Sequence, residues 1–136
     1  MSSTPPTQAQ ILVIKAADDE RVLHSDGLSE SILGFHAQQA VEKLMKALLA
    51  QLAVPFELTH NLERLETLLK ANHESIPTTP LALTDLTDFA VVYRYDLLFQ
   101  TSAPDRTELI ETVRIIREHV QARIAALSPT PPAPQP

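Results

Sequence analysis

Among the 136 residues, the side chains able to act on a ligand are mainly cations and imidazoles. Lys43 and Lys46 share one long apolar-patterned stretch, and Arg94 lies in another. Brought together, these three would make a cationic pocket for a phosphate or an RNA backbone, the guanidinium gripping two oxygens while the ammonium groups act as point charges. The alternative for Arg94 is structural: its stem covers apolar surface, or it pairs with a carboxylate such as Glu42. For His36 and His60, a half-buried imidazole making a structural hydrogen bond competes with a role toward a ligand. Gln38 and Gln39 carry amides, which offer donors and acceptors but no acid–base chemistry, and they are expected to bond helix ends or a partner chain.

Metal and covalent chemistry find little support. The five histidines include no His-x3-His pair, and His73-Glu74 lacks the second histidine of a zincin helix, so no metal site is expected. Without cysteine there is no thiolate nucleophile, disulfide framework or cysteine-bound zinc. Two glycines, Gly27 and Gly34, cannot build the phosphate loops of dinucleotide and P-loop enzymes, and no cofactor is expected. The net charge of −6 gives no global attraction to nucleic acid, so any such contact needs a local cluster of Lys and Arg. No run approaches the roughly 20 apolar residues of a membrane span, and Met1 to Gln10 has neither the basic start nor the apolar run of a signal peptide. A cytoplasmic location is the expectation.

The elements that must hold these residues read as helices, about five of them in an antiparallel up-and-down bundle, all-α, with a four-helix core. Leu, Ile, Val and Ala supply nearly all the apolar material, with only four Phe, two Tyr and no Trp. A first helix is expected over 9–23, led by Ile11, Leu12 and Ile14, and the break Ser25-Asp26-Gly27 offers caps for the next. The second, over 28–53, carries Leu33, Ala37, Ala40, Leu44, Leu48 and Leu52 at spacings of three and four, with Glu42 and Lys46 as an exposed i,i+4 pair worth a few tenths of a kcal/mol. Thr59 caps a third over 60–71 with Leu62, Leu65 and Leu69 inward. A fourth over 83–99 turns Leu83, Leu86, Ala90, Tyr93 and Leu97 to one side. Ser102-Ala103-Pro104-Asp105 signals the start of a last helix, whose Leu109, Val113, Ile116, Val120, Ile124 and Leu127 form an unbroken apolar stripe. Residues 1–8 and 128–136 hold seven of the eleven prolines and are expected to stay as mobile tails outside a 9–127 domain.

The second helix has more polar pattern than a bundle requires: Phe35-His36-Ala37-Gln38-Gln39-Ala40-Val41-Glu42-Lys43-Leu44-Met45-Lys46-Ala47. This segment resembles the central helix of the HEPN family, whose members read approximately F-h-A-Q-Q-A-x-E-K-x-x-K-A. Thr59-His60-Asn61-Leu62 resembles the family's T-H-D-L, and Arg94-Tyr95-Asp96 its R-Y-P-D, so that His36, Gln38, Gln39, Glu42, His60, Tyr95 and Asp96 mark the motif positions. Asn61 replaces an acidic residue, and no proline follows Tyr95. The resemblance implies a helical bundle that forms a homodimer and is encoded beside a minimal nucleotidyltransferase, the two acting as a two-component or toxin–antitoxin pair with nucleotide or RNA binding.

Toxin members of the superfamily are metal-independent ribonucleases using an arginine and a histidine four to six residues apart, a spacing that Arg114 and His119 satisfy. There His119 would move the 2′-hydroxyl proton and Arg114 would stabilise the charged transition state. On one continuous helix, however, five residues turn about 140°, which sends the two to different faces unless a dimer reunites them. The alternatives are therefore a non-catalytic partner, a ribonuclease with Arg114 and His119, and a helical interaction module with no ligand site.

Overall fold

The structure, a computed structural model, describes residues 4–92 and 105–129, with side chains up to residue 89 in the first segment. Five helices make up the described residues, with no strand among them: α1 (Gln8–Val22), α2 (Glu30–Gln51), α3 (Leu62–Ala71), α4 (Leu83–Val92) and α5 (Arg106–Leu127). The Tyr93 and Leu97 positions of the expected fourth helix lie outside the described residues.

Local side-chain chemistry fixes the helix starts. Thr7 accepts from the Gln10 N–H while the Gln10 side chain accepts from the Thr7 N–H, a reciprocal capping box that brings a residue expected in the N-terminal tail into the helix start. Ser29 caps α2, not Ser25 or Asp26. Gly27 sits at φ +80° in the preceding turn, and the Ser25 hydroxyl donates back to Arg21 O. Asn61 caps α3 by accepting from Arg64 N, and Thr59 instead holds the cap residue by accepting from Asn61 N. Asp105 caps α5 through Thr107 N.

The ends of α2 and α3 also share a device. Ala53 (φ 56°) and His73 (φ 64°) turn left-handed, which lets Val54 N donate to Leu49 O and Glu74 N to Leu69 O. Helices that end in this turn usually place glycine there, because a Cβ costs about 1–2 kcal/mol.

Helix α2 is the axis of the fold, since α1, α3, α4 and α5 all pack against it. The expected inward face is buried at Leu33, Ala37, Ala40, Leu44 and Leu48, but so are Val41, Met45 and Leu49 on other sides. A helix covered nearly all round is a core helix rather than an amphipathic surface one. Its partners close in with Leu62, Leu65 and Leu69 of α3, Leu86 of α4, and Leu109, Val113, Ile116 and Val120 of α5. At the α2–α4 crossing, a Cβ on Gly34 would lie 3.1 Å from the Phe89 Cβ, so the glycine sets that approach.

On α1 the buried positions are Ala9, Ala16 and Asp19, with Leu23 buried just past its end, while Ile11 and Ile14 are 40% and 59% exposed. Alanines let α1 come close to α2, and the isoleucines that led the sequence pattern face outward. Helix α5 runs antiparallel to α1: Arg117 Nε meets Glu20 Oε1 at 2.9 Å toward one end, and Ile124 lies beside Ala9 and Val13 toward the other. No helix among the described residues is long and apolar enough to cross a membrane.

Candidate functional site

Gln38, Glu42 and Lys46 are one helical turn apart on α2 and form a polar ladder inside the bundle. The Glu42 carboxylate is its centre. It accepts from Gln38 Nε2 at 3.1 Å, from Lys46 Nζ at 3.0 Å and from His60 Nδ1 at 2.8 Å. An ionised carboxylate only accepts, so the proton of this contact sits on His60 Nδ1 and the solvent-side nitrogen is Nε2. Gln38 Nε2 also donates to His60 O at 2.9 Å, and Gln39 Nε2 donates to Gln38 Oε1 at 2.7 Å. The ladder therefore ties α2 to the loop that opens α3.

Burial corrects the sequence reading of Glu42 and Lys46. Their side chains are only 5% and 11% exposed, so this pair is not a surface contact of a few tenths of a kcal/mol. The ammonium also lies 5.9 Å from the Phe56 ring centre, on its face. Isolated buried charges would be costly, and here every one is met. No buried side-chain nitrogen or oxygen among the described residues lacks a partner.

A second carboxylate organises a different side of α2. Asp19 from α1 accepts from His36 Nδ1 at 2.8 Å through one oxygen and from Lys43 Nζ through the other. Lys43 and His36 are 26% and 30% exposed, against 10% for Asp19, so the cluster is open at its rim. The sequence reading missed Asp19. The signal was present: counting from Ala9 and Ala16 by threes and fours puts Asp19 and Leu23 on the inner face, in the middle of a run that reads as solvated charge.

These two networks place Lys43 and Lys46 differently. Each answers its own carboxylate, and they do not share an open cationic pocket. The third member expected there, Arg94, lies outside the described residues, as do Tyr95 and Asp96. Glu42 is fully engaged by Lys46, His60 and Gln38 without it.

Helix α5 holds Arg114 and His119 apart. The Arg114 guanidinium donates to Glu111 and, at 2.7 Å, to Glu118 Oε2, and these two carboxylates hold its pKa above the ordinary arginine value. Glu111 is in turn held below the usual carboxylate range by the hydrogen bond from Arg114. His119 points elsewhere, its Nε2 lying 2.7 Å from Ser75 O in the loop after α3. One turn further, Arg123 forks onto Glu74 with bonds of 2.8 and 3.0 Å. That fork holds the Glu74 carboxyl below its ordinary value against the opposing effect of burial. The Glu74–Arg123 clamp was also missed; only the left-handed His73 turn, invisible in a residue pattern, aims Glu74 at α5. No group of three or more His, Asp and Glu residues among the described ones could hold a metal ion.

Comparison with known families places this arrangement. The HEPN domain matches residues 16–123, from the middle of α1 to the last turns of α5. The chain belongs to the HEPN family. The match includes both carboxylate-centred networks and all of α2, the element that carries the Gln38-Gln39-x-x-Glu42-Lys43 pattern. No curated protein and no solved structure matched the chain. In this HEPN domain His36 of α2 bonds Asp19 of α1, Gln38 and Glu42 of α2 bond His60 ahead of α3, and Lys43 brings a partly exposed cation.

Proposed function

We propose that this HEPN-domain chain is a non-catalytic homodimeric partner of a minimal nucleotidyltransferase encoded beside it, in a two-gene system of toxin–antitoxin type, and that it contacts nucleotide or RNA phosphate. The observation that carries the reading is the HEPN family match over most of the chain, which makes the family's usual association the parsimonious one. Two features of the site support the non-catalytic part. Arg114 is neutralised by Glu111 and Glu118, and His119 is bonded to the Ser75 carbonyl. Neither is poised for proton transfer to a shared ligand.

The phosphate contact belongs to Lys43 rather than Lys46. Lys46 is closed in by Glu42 and Phe56, whereas Lys43 sits at a rim with His36 beside it. The test is co-purification of the chain with the nucleotidyltransferase encoded next to it, followed by thermal shift of the chain with nucleotides. A complex, and a nucleotide shift abolished by Lys43→Gln, are expected. Absence of a neighbouring transferase, or of any complex with it, would remove the proposal, leaving a helical interaction module.

A further inference from the structure

Two histidines are held by carboxylates, His60 by Glu42 and His36 by Asp19, and each carboxylate also holds a lysine. On Glu42 that lysine is the enclosed Lys46. On Asp19 it is Lys43, which stays partly exposed together with His36. The α1–α2 side is therefore where an imidazole and a cation reach solvent side by side.

The carboxylate sets the chemistry of both groups. Asp19 accepts from His36 Nδ1 at 2.8 Å through one oxygen and from Lys43 Nζ through the other. A neutral imidazole has one N–H, and Asp19 takes it, so Nε2 carries a lone pair and acts only as an acceptor. No described residue bonds this Nε2. The Phe35 ring meets the imidazole edge-on, with 5.3 Å between centres and 80° between planes, and fixes its tilt from a second direction. Lys43 is the opposite kind of group: its ammonium gives one N–H to Asp19 and has others to give. Because both hang on one carboxylate, Nδ1 and Nζ lie within roughly 7 Å of each other.

This pairing narrows the ligand. An ionised phosphodiester only accepts, so it answers Lys43 and leaves His36 Nε2 needing a donor close by. In an RNA strand the 2′-hydroxyl is that donor, because it stands on the sugar carbon next to the one that bears the 3′-phosphate. DNA has nothing to donate there. Charge points the same way: Asp19 balances Lys43, and the chain carries −6, so a singly charged diester is opposed less than the near-dianion of a terminal phosphate.

Resting on the reading that Lys43 contacts phosphate, we propose that His36 selects ribose. Its Nε2 accepts from the 2′-hydroxyl of the nucleotide whose 3′-phosphodiester is held by Lys43, which makes RNA strand, rather than DNA, the ligand of this face.

Fluorescence anisotropy of the full chain at low salt, with a short oligouridylate, its 2′-deoxy form and its 2′-fluoro form, tests this. The fluoro form keeps the sugar pucker of RNA and is no larger than the hydroxyl form, but it donates nothing. The parent is expected to bind the RNA about fivefold more tightly than either analogue, the worth of one hydrogen bond. His36→Asn keeps an amide N–H on the Asp19 side and lacks Nε2, so with helical circular dichroism unchanged it should bind all three probes alike. Lys43→Gln should weaken all three. Equal binding of the three by the parent, or a fluoro form bound as tightly as the RNA, overturns the ribose contact and leaves the phosphate reading standing. A preference for RNA that survives in His36→Asn also overturns it, by assigning the hydroxyl to another residue. Binding of no probe removes the phosphate reading itself.

Discussion

Replacing Glu42 by alanine tests whether the ladder in α2 is a buried charge system. Deletion strands three donors unequally. Gln38 keeps its bond to His60 O, and His60, with a ring 64% exposed, regains water. Lys46, at 11% exposure, is left as an uncompensated charge beside the Phe56 ring. Breaking a buried pair from one side costs about 3–5 kcal/mol, and the lysine's flexible stem favours the lower end, about 3 kcal/mol. For a domain of this size that corresponds to roughly 10 °C in Tm. Lys46→Met should cost less, about 1–2 kcal/mol, because Glu42 keeps the Gln38 and His60 donors. The double variant Glu42→Ala/Lys46→Met should cost no more than about 2 kcal/mol, because it leaves no buried charge uncompensated, giving a coupling near 2 kcal/mol or more in the cycle. Urea unfolding followed by helical circular dichroism measures all four proteins. If Glu42→Ala costs under about 1 kcal/mol and the two changes simply add, the pair is behaving as a solvated surface contact and the burial argument fails.

Three further outcomes follow from particular contacts. Gly34→Ala gains about 1 kcal/mol of helix propensity but brings a Cβ to 3.1 Å from the Phe89 Cβ and Cγ, and overpacking of this kind typically costs about 1–3 kcal/mol, so a net loss of about 1 kcal/mol is expected in the same unfolding assay. Glu74 has a folded-state pKa below its unfolded value because Arg123 forks onto it, so its contribution is complete above about pH 4.5 and disappears as pH falls through the depressed value. Acid titration of stability should therefore show a shallower decline below pH 4.5 in Arg123→Gln than in the parent. RNA incubated with the parent chain and with His119→Ala in EDTA should remain equally intact; cleavage by the parent alone would restore Arg114 and His119 to a catalytic role.

The helical bundle was legible because apolar residues every three or four positions need no knowledge of partners. α3 and α5 show this best: Leu62, Leu65 and Leu69, and Leu109 to Val120, are buried as their spacing requires. The centrality of α2 was less legible. A helix enclosed by four neighbours must bury polar positions too, and the pattern alone gives Glu42 and Lys46 the look of an exposed i,i+4 pair. The motif positions His36, Gln38 and His60 were visible, but their partners were not, since Asp19 and the His60 carbonyl are brought in by tertiary packing. For α1, isoleucines at 11 and 14 outweighed alanines at 9 and 16 in the sequence pattern, although close helix contact selects the smaller side chains. Family membership was carried by the QQ-x-x-EK stretch, and the HEPN match bears it out.

Two carboxylates hold α2 from separate directions, one reaching in from α1 and the other reaching out to the turn before α3. A roll of the central rod by one residue would carry each group about 100° from its mate, and a slide by one turn would shift it about 5 Å. Either movement breaks both clusters together. The rod is therefore keyed like a shaft with two pins, its rotation and height fixed against α1 and against the turn before α3.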